Sequence, residues 1–154
     1  MIFALLVAYQ IKHFLADYLL QGKYMLKKFS PGWEFFGPLA AHCTVHGLFT
    51  FVIAMIVLGG KQPWLIFSLV ATDWIIHFFM DRVKAGPKYL GQFKAMSSTE
   101  FVENSKEMVS GNVLRNIIAK EKVVHNTIFW YSLGLDQMVH HLTHYYIIWR
   151  LVNG

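Results

Sequence analysis

The sequence predicts an all-α fold, a four-helix transmembrane bundle with a short amphipathic helical insertion, residues 85–122, between helices three and four. The first observation behind this prediction is composition, because 55% of the 154 residues are hydrophobic and 15% are charged, against about 25% charged in typical soluble domains. The second is the length of the apolar stretches, which match the roughly 20 residues that a helix needs to cross a bilayer. At this length the chain is expected to form a single integral membrane domain, residues 1–154.

The stretches that predict the four helices are residues 2–20, 39–58, 64–83 and 126–149. Gly59, Gly60 and Pro63 predict a tight turn between helices two and three, which therefore form an antiparallel hairpin. The first stretch lacks a basic leading region and a small-residue cleavage site, so we interpret it as a retained helix and not as a signal peptide.

The insertion has the composition of an aqueous segment that lies on the membrane face. Ser97 and Glu100 have the spacing of a capping box, which predicts a short amphipathic helix over residues 97–109. The Gly-Asn pair at 111–112 is expected to end this helix, and a second short helix is expected over residues 113–120.

Basic residues are concentrated in two loops. The loop after helix one carries Lys23, Lys27 and Lys28, and the loop after helix three carries Arg82, Lys84, Lys88, Lys94, Lys106, Arg115, Lys120 and Lys122. The positive-inside rule therefore predicts a multi-pass protein of the cell inner membrane, with both loops in the cytoplasm and both termini outside. Lys12 is an exception, because it lies within helix one. The basic residues form no run interleaved with aromatic residues, which argues against a nucleic-acid partner.

Polar residues recur three or four positions apart within the predicted helices. They are Gln10, His13, Asp17 and Gln21 in helix one, His42 and His46 in helix two, Asp73, His77 and Asp81 in helix three, and Asp136, His140 and His144 in helix four. Because each residue advances about 100° along a helix, positions i, i+4 and i+8 share a face, and His141 points away from that face. The motifs lie late in helices one and three and in the first half of helices two and four. A chain that alternates direction therefore brings them to the same side of the bilayer.

These side chains predict a metal site. One Asp at a helix centre costs about 2.5–3.5 kcal/mol, so four unpaired carboxylates would cost roughly 10–14 kcal/mol and should face the bundle interior, where they find cations or donors. Helical i, i+4 pairs of His and Asp can bind one ion with both side chains, and these ligands suit zinc, iron or manganese. We predict one or two divalent ions. The predicted ligands are His13, Asp17, His42, His46, His77, Asp81, Asp136 and His140.

Three functions are consistent with such a site. The first is a metal-dependent hydrolase of a lipid or lipid-linked substrate, in which Asp17 or Asp81 serves as general base and Lys84 holds a substrate phosphate. The second is a carrier or channel for a metal ion or protons, although the outer half of helix two offers only Thr50 as a polar group. The third is a small membrane effector or assembly partner with a structural metal. Interhelical hydrogen bonding without a metal is the plainer alternative, and the oligomeric state is left open.

The four motifs resemble the signature of an uncharacterised family of small bacterial and phage integral membrane proteins, a domain of unknown function. Its pattern of HxxxDxxxQ, HxxxH, HxxxDxxK and DQxxH is matched here by HFLADYLLQ, HCTVH, HFFMDRVK and DQMVH. The resemblance covers nearly the whole chain outside the insertion and implies a membrane protein, with no established activity. Asp73, His125, His141 and His144 fall outside the pattern. A second group of small bacterial membrane proteins, similar in its intramembrane His and Asp residues, is described as metal-dependent hydrolases, which favours the first function by analogy.

Overall fold

The computed structural model describes residues 1–109 and 112–154, and all regular secondary structure in these two ranges is helical. The five α-helices are α1 (Ile2–Phe14), α2 (Phe36–Leu58), α3 (Pro63–Ala85), α4 (Ser98–Glu107) and α5 (Val113–Asn153). A π-helical turn over Leu15–Leu19 continues α1, and short 3₁₀ turns cover Met25–Phe29 and Leu90–Gln92. The predicted all-α class is confirmed. Gly111, at the expected break in the insertion, lies outside the described residues.

Three helical segments among the described residues are long and apolar enough to cross a membrane. They are Ile2–Leu19, Phe36–Leu58 and Pro63–Ala85. Their outer faces carry large exposed apolar side chains such as Phe3, Ile56 and Phe79, which together form apolar surface of the kind that lipid covers in a membrane protein. The chain is therefore built to associate with a membrane. Helix α5 is longer than any of the three but is less apolar.

The predicted hairpin of helices two and three is confirmed, as is the turn that makes it. Helix α2 ends at Leu58 and is followed by Gly59, whose φ of 59° lies in the left-handed region, where glycine carries no Cβ penalty. Helix α3 begins with Pro63, because the first helical position needs no N–H donor and favours the fixed φ of proline.

The prediction of a separate helix over 113–120 and a fourth helix beginning near residue 126 is wrong. A single helix of 41 residues, α5, covers both. The sequence between Val113 and Gly134 contains no glycine or proline, so no residue interrupts the helix where the composition changes from aqueous to apolar. Asn112 caps the start of α5, because its side chain accepts a hydrogen bond from the backbone N–H of Arg115.

The capping box of α4 is confirmed. The Ser97 hydroxyl accepts from the backbone N–H of Glu100, and the Glu100 carboxylate accepts from the backbone N–H of Ser97. Helix α4 then packs against the N-terminal half of α5.

Helices α1, α2, α3 and the C-terminal half of α5 share one apolar core. Its buried members are Leu5, Tyr9, Ala54, Ile66, Leu69, Ile147, Ile148 and Leu151. These residues occupy the start of α1 and α3 and the end of α2 and α5, so the core fills one end of the helix group. The predicted polar motifs occupy the other end.

Candidate metal centre

One histidine from each of four helices meets at the centre of the group. These are His13 on α1, His46 on α2, His77 on α3 and His140 on α5, and we refer to them as the histidine layer. The His77 ring centroid lies 3.9 Å from that of His46 and 4.1 Å from that of His140, and the rings of His13 and His140 are 5.4 Å apart. None of the four is more than 5% exposed. The structure therefore brings together four of the predicted ligands.

Two further levels lie on either side of the histidine layer, about 6 Å away, because four residues of α-helix rise by that distance. On α2, α3 and α5, both levels hold residues four positions from the layer histidine. On α1, one level holds Asp17, four positions from His13, and the other is reached by the long side chain of Lys12, the residue before His13. Toward the chain's basic loops lie Asp17, His42, Asp81 and Asp136, which we call the mouth. Toward the apolar core lie Lys12, Thr50, Asp73 and His144, which we call the deep cluster. All eight predicted ligands thus belong to the histidine layer or the mouth.

The Asp17 carboxylate contacts three histidine side chains. Its Oδ1 atom lies 3.0 Å from Nε2 of His46 and 3.2 Å from Nε2 of His42, and its Oδ2 atom lies 3.1 Å from Nε2 of His13. His42 Nε2 also lies 3.2 Å from Oδ2 of Asp81. Three histidines from two helices therefore converge on one carboxylate.

Asp17 lies within the π-helical turn over Leu15–Leu19. A π turn inserts one extra residue into an α-helix and is frequent at functional sites. It also changes the phase of the helix after His13, which sets where the Asp17 carboxylate points. The four-residue spacing of the sequence did not reveal this turn.

Lysines neutralise the other carboxylates of the mouth. Lys28 donates to Oδ2 of Asp81 at 2.7 Å, and Lys84 donates to Oδ2 of Asp136 at 2.6 Å. The sequence predicted that the four carboxylates would find cations or donors in the bundle interior. Lysine ammonium groups compensate two of them at the mouth, which leaves Asp17, beside the histidine layer, without a lysine partner among the described residues.

The deep cluster pairs the remaining carboxylate. Lys12 donates to Oδ2 of Asp73 at 2.6 Å, Thr50 donates to the same oxygen at 2.7 Å, and Lys12 Nζ lies 3.2 Å from Nε2 of His144. Lys12 is 1% exposed and Asp73 is 0% exposed. The cluster is closed to solvent, and its charges are matched within the protein.

Sequence reasoning missed the deep cluster and Lys28. A lysine within a membrane span indicates a nearby partner, because charged residues in a span are expected to be paired. Lys12 is such a residue and could have predicted the cluster. Gln10, grouped with His13 by spacing, is exposed. His141 was expected to point away from the site, but it is half-buried and its ring centroid lies 5.8 Å from that of His13.

The side chains fit a metal ion. Buried ring nitrogens without a hydrogen-bond partner among the described residues include Nδ1 of His13 and His46, Nε2 of His77 and both nitrogens of His140. Buried polar atoms are normally paired, so such a set is unusual and matches the imidazole donors that zinc, iron and manganese accept. Three sets of ligand atoms from the histidine layer and the mouth each lie within 4.8 Å of one another: His13 with His46 and His77, Asp17 with His42 and His46, and Asp81 with Asp136 and His140. The first two sets share His46 and therefore describe one centre. In the third set, the two carboxylates already have lysine partners.

A cavity of about 150 Å³ opens beside this centre. Its walls carry both mouth carboxylates that face outward, Asp17 and Asp81, together with Lys28, Lys84 and Gln137. Gln137 also reaches the centre, because its Oε1 atom lies 3.2 Å from Nε2 of His13. The three residues predicted to be catalytic, Asp17, Asp81 and Lys84, thus line one polar cavity.

Comparison with known proteins gives one match. A family model described as a protein of unknown function, DUF3307, matches residues 2–153, nearly the whole chain. No curated protein and no solved structure matches significantly. The expected resemblance to an uncharacterised family is confirmed at this level: the chain belongs to the DUF3307 family.

Proposed function

We propose that this protein is a membrane-embedded metalloenzyme, a hydrolase that acts on a lipid or lipid-linked substrate through one divalent ion held by the histidine layer and Asp17. The observation that supports this proposal is the convergence of buried, unpartnered imidazole nitrogens from four helices. The ion would be zinc, iron or manganese, since imidazole and carboxylate ligands suit all three.

The polar cavity is what favours an enzyme over a structural metal site. A catalytic metal keeps a coordination position open to substrate, whereas a structural site is closed by protein ligands. Asp17 links the candidate centre to the cavity because it contacts three histidines and also lines the cavity wall. A bound ion supplies Lewis acidity and lowers the pKa of water toward about 7.

The chain's own residues then have distinct tasks. The Asp81 carboxylate, on the cavity wall, would take a proton from a water molecule that enters it. Lys28 orients that carboxylate by donating to its Oδ2 atom at 2.7 Å. Lys84, whose side chain is 31% exposed, would hold a negatively charged group of the substrate.

We further infer that the C-terminal half of α5 crosses the membrane as a fourth span. It packs with α1, α2 and α3 around the shared apolar core, and its Asp136 and His140 lie at the same levels as Asp17 and His13. With the positive-inside rule, this arrangement supports a topology in which the mouth faces the cytoplasmic side of the inner membrane and both termini lie outside.

A metal or proton carrier is the alternative. It needs a polar path through the outer half of the bilayer, but the buried core beyond the deep cluster consists of apolar side chains and the Tyr9 ring. That arrangement supports a site open to one side and makes the carrier the weaker proposal.

The first test is elemental analysis of the detergent-purified protein. We expect stoichiometric zinc, iron or manganese in the wild type and a large loss in His13→Ala and His77→Ala. His125→Ala is the matched control, because the His125 side chain is 45% exposed and lies outside the three levels. A folded wild type that binds no metal, even after reconstitution, would contradict the proposal.

The second test separates the enzyme from the carrier. In metal-loaded proteoliposomes made from extracted bacterial lipid, the enzyme should release fatty acid or phosphate, and Asp81→Asn should abolish that release while retaining metal. Metal flux into the vesicles, reported by an enclosed metal-sensitive dye, without any hydrolysis would favour the carrier instead.

A further inference from the structure

An apolar groove lies next to the polar cavity. It has a volume of about 430 Å³ and runs between the segment that contains Leu90 and Phe93 and the face of α5 that contains Phe129 and Leu133. Ligand pockets typically span about 300–1,000 Å³, so the groove is large enough for the apolar part of a small ligand.

The groove and the polar cavity are continuous. Phe29, Lys84 and Leu133 line both, so a molecule in the groove reaches Asp17 and Asp81 without leaving the protein surface. One end of this combined site is apolar and the other is charged. Its shape and chemistry are those of a site for an amphiphile.

Lys84 marks the junction. Its ammonium group has three donors and uses one on Asp136, which leaves others for a ligand. Lys94 lines the groove and Lys28 lines the polar cavity. Ammonium groups on both sides of the junction favour an anionic headgroup such as a phosphate.

We propose that the combined site binds a single-chain amphiphile with a phosphate headgroup, with its chain in the groove and its phosphate between Lys84 and the candidate metal centre. This inference rests on the proposed function for the headgroup half. Asp17, Asp81 and Asp136 together outnumber Lys28 and Lys84 by one charge, and one divalent ion reverses that sign. The phosphate should therefore bind more tightly to metal-loaded protein, whereas the contribution of the chain should not depend on metal.

The test is competition binding in nanodiscs of phosphatidylcholine, with a fluorescent lysophosphatidic acid as the probe. Unlabelled 16-carbon lysophosphatidic acid should displace the probe at least about tenfold more effectively than either glycerol 3-phosphate or 16-carbon monoacylglycerol, since each lacks one half of the interaction. Chelation of metal should raise the inhibition constant of lysophosphatidic acid and leave that of monoacylglycerol unchanged, once both are corrected for the weaker binding of the probe. Metal content is measured in the same samples.

Two variants test the groove without touching a candidate metal ligand. Phe93→Asp places a charge against the chain and Leu133→Trp fills the groove, and each should weaken probe binding about tenfold. Phe101→Asp and Leu135→Trp are the matched controls, because both residues are exposed and outside the groove, and they should bind the probe as the wild type does.

The outcomes separate this inference from the proposed function. Equal displacement by lysophosphatidic acid, glycerol 3-phosphate and monoacylglycerol, or probe binding unaffected by Phe93→Asp and Leu133→Trp, would overturn the inference and show that bilayer lipid fills the groove nonspecifically. If the protein nevertheless contains metal, the proposed function stands. Groove-dependent binding in a protein that holds no metal would support the chain site and contradict the metalloenzyme.

Discussion

The deep cluster and the mouth use the same kinds of side chain, aspartate with lysine and histidine, to different ends. In the deep cluster, the Lys12 and Asp73 side chains are 1% and 0% exposed and are joined at 2.6 Å. At the mouth, the side chains of Asp17 and Lys84 are 20% and 31% exposed, and both line a cavity. The histidine layer separates the two regions and contributes contacts to each.

This difference separates the charges that the fold needs for stability from the charges that are open to a ligand. A buried ion pair gains little net stability over apolar packing, but loss of one partner leaves an uncompensated charge. The fold therefore depends on the ion pair of the deep cluster, which joins α1 to α3. The Asp17 and Lys84 side chains are reachable from the cavity, so water or a ligand can replace a partner that either of them loses. Substitutions in the deep cluster should have large effects on stability, whereas substitutions at the mouth should have large effects on binding.

The largest effect is expected for Lys12→Met. It leaves the Asp73 carboxylate buried with Thr50 as its remaining strong donor, and a buried charge without its ionic partner costs about 3–5 kcal/mol. Unfolding of the detergent-purified protein by denaturant, followed by far-UV circular dichroism, measures this loss.

The double variant Lys12→Met/Asp73→Asn is the control for Lys12→Met. It removes both charges while keeping an acceptor for Thr50, so most of the lost stability should return. If Lys12→Met is as stable as the wild type, the deep cluster is not the structural element that its burial indicates.

The second-largest effect is expected on the stabilisation of the folded protein by metal. A ligand present at 100 times its Kd stabilises the folded state by about 2.7 kcal/mol, so metal should raise the stability of the wild type by about this amount. Asp17→Asn should lose the increase, because Asp17 contacts three histidines of the candidate centre. The Lys12→Met/Asp73→Asn variant should retain it, and thermal shift with and without chelator compares the three proteins. The opposite pattern would place the ion in the deep cluster, where Asp73, His77 and His144 also lie close enough to share one.

The sequence predicted which residues of one helix share a face better than it predicted which residues of other helices they contact. The four-residue spacing correctly grouped Asp81 with His77 and Asp136 with His140, because these pairs lie on regular helices and share a face by geometry alone. In α1 a spacing of three positions from His13 favoured Gln10 over Lys12, yet Gln10 is exposed and Lys12 is buried. A helix's own sequence does not specify the side on which its neighbours pack, and the flexible lysine stem reaches a partner that short side chains do not.

Chain segments between helices were hardest to predict. Lys28 was counted as a free basic loop residue, but the 3₁₀ turn over Met25–Phe29 carries it back onto Asp81. The continuous α5 was missed because a change in composition was interpreted as a change in structure. The first error concerns tertiary position, which local propensity and periodicity do not encode. The second was avoidable, because no glycine or proline interrupts the chain between Val113 and Gly134.

The third effect is expected for Lys84→Met at the mouth. Asp136, itself 1% exposed, loses its ammonium partner but keeps the donor of Gln137 at 3.0 Å. Because Lys84 lines the cavity, cavity water can enter the space that its ammonium group leaves and replace part of the lost interaction. We expect a loss of about 1–2 kcal/mol, smaller than for Lys12→Met, with the same denaturant assay. An equal loss in the two variants would remove the distinction between the closed and the open region.

The smallest effect is expected in α4, whose capping contacts are exposed and therefore provide a water-facing reference for the other two regions. The N–H and hydroxyl of Ser97 hold the pKa of Glu100 below its ordinary value of 4.5. A carboxyl group with a lowered pKa in the folded state stabilises that state above the ordinary value, and this contribution disappears as the pH falls from 4.5 through the lowered pKa. Hydrogen exchange of the α4 amides, corrected for the intrinsic pH dependence, should accelerate over that range in the wild type and not in Glu100→Gln.

At neutral pH, Ser97→Ala should cost about 1 kcal/mol of local stability. This loss corresponds to roughly fivefold faster exchange of the α4 amides and should leave metal content unchanged. A loss of metal in Ser97→Ala would show instead that the insertion and the mouth are energetically coupled.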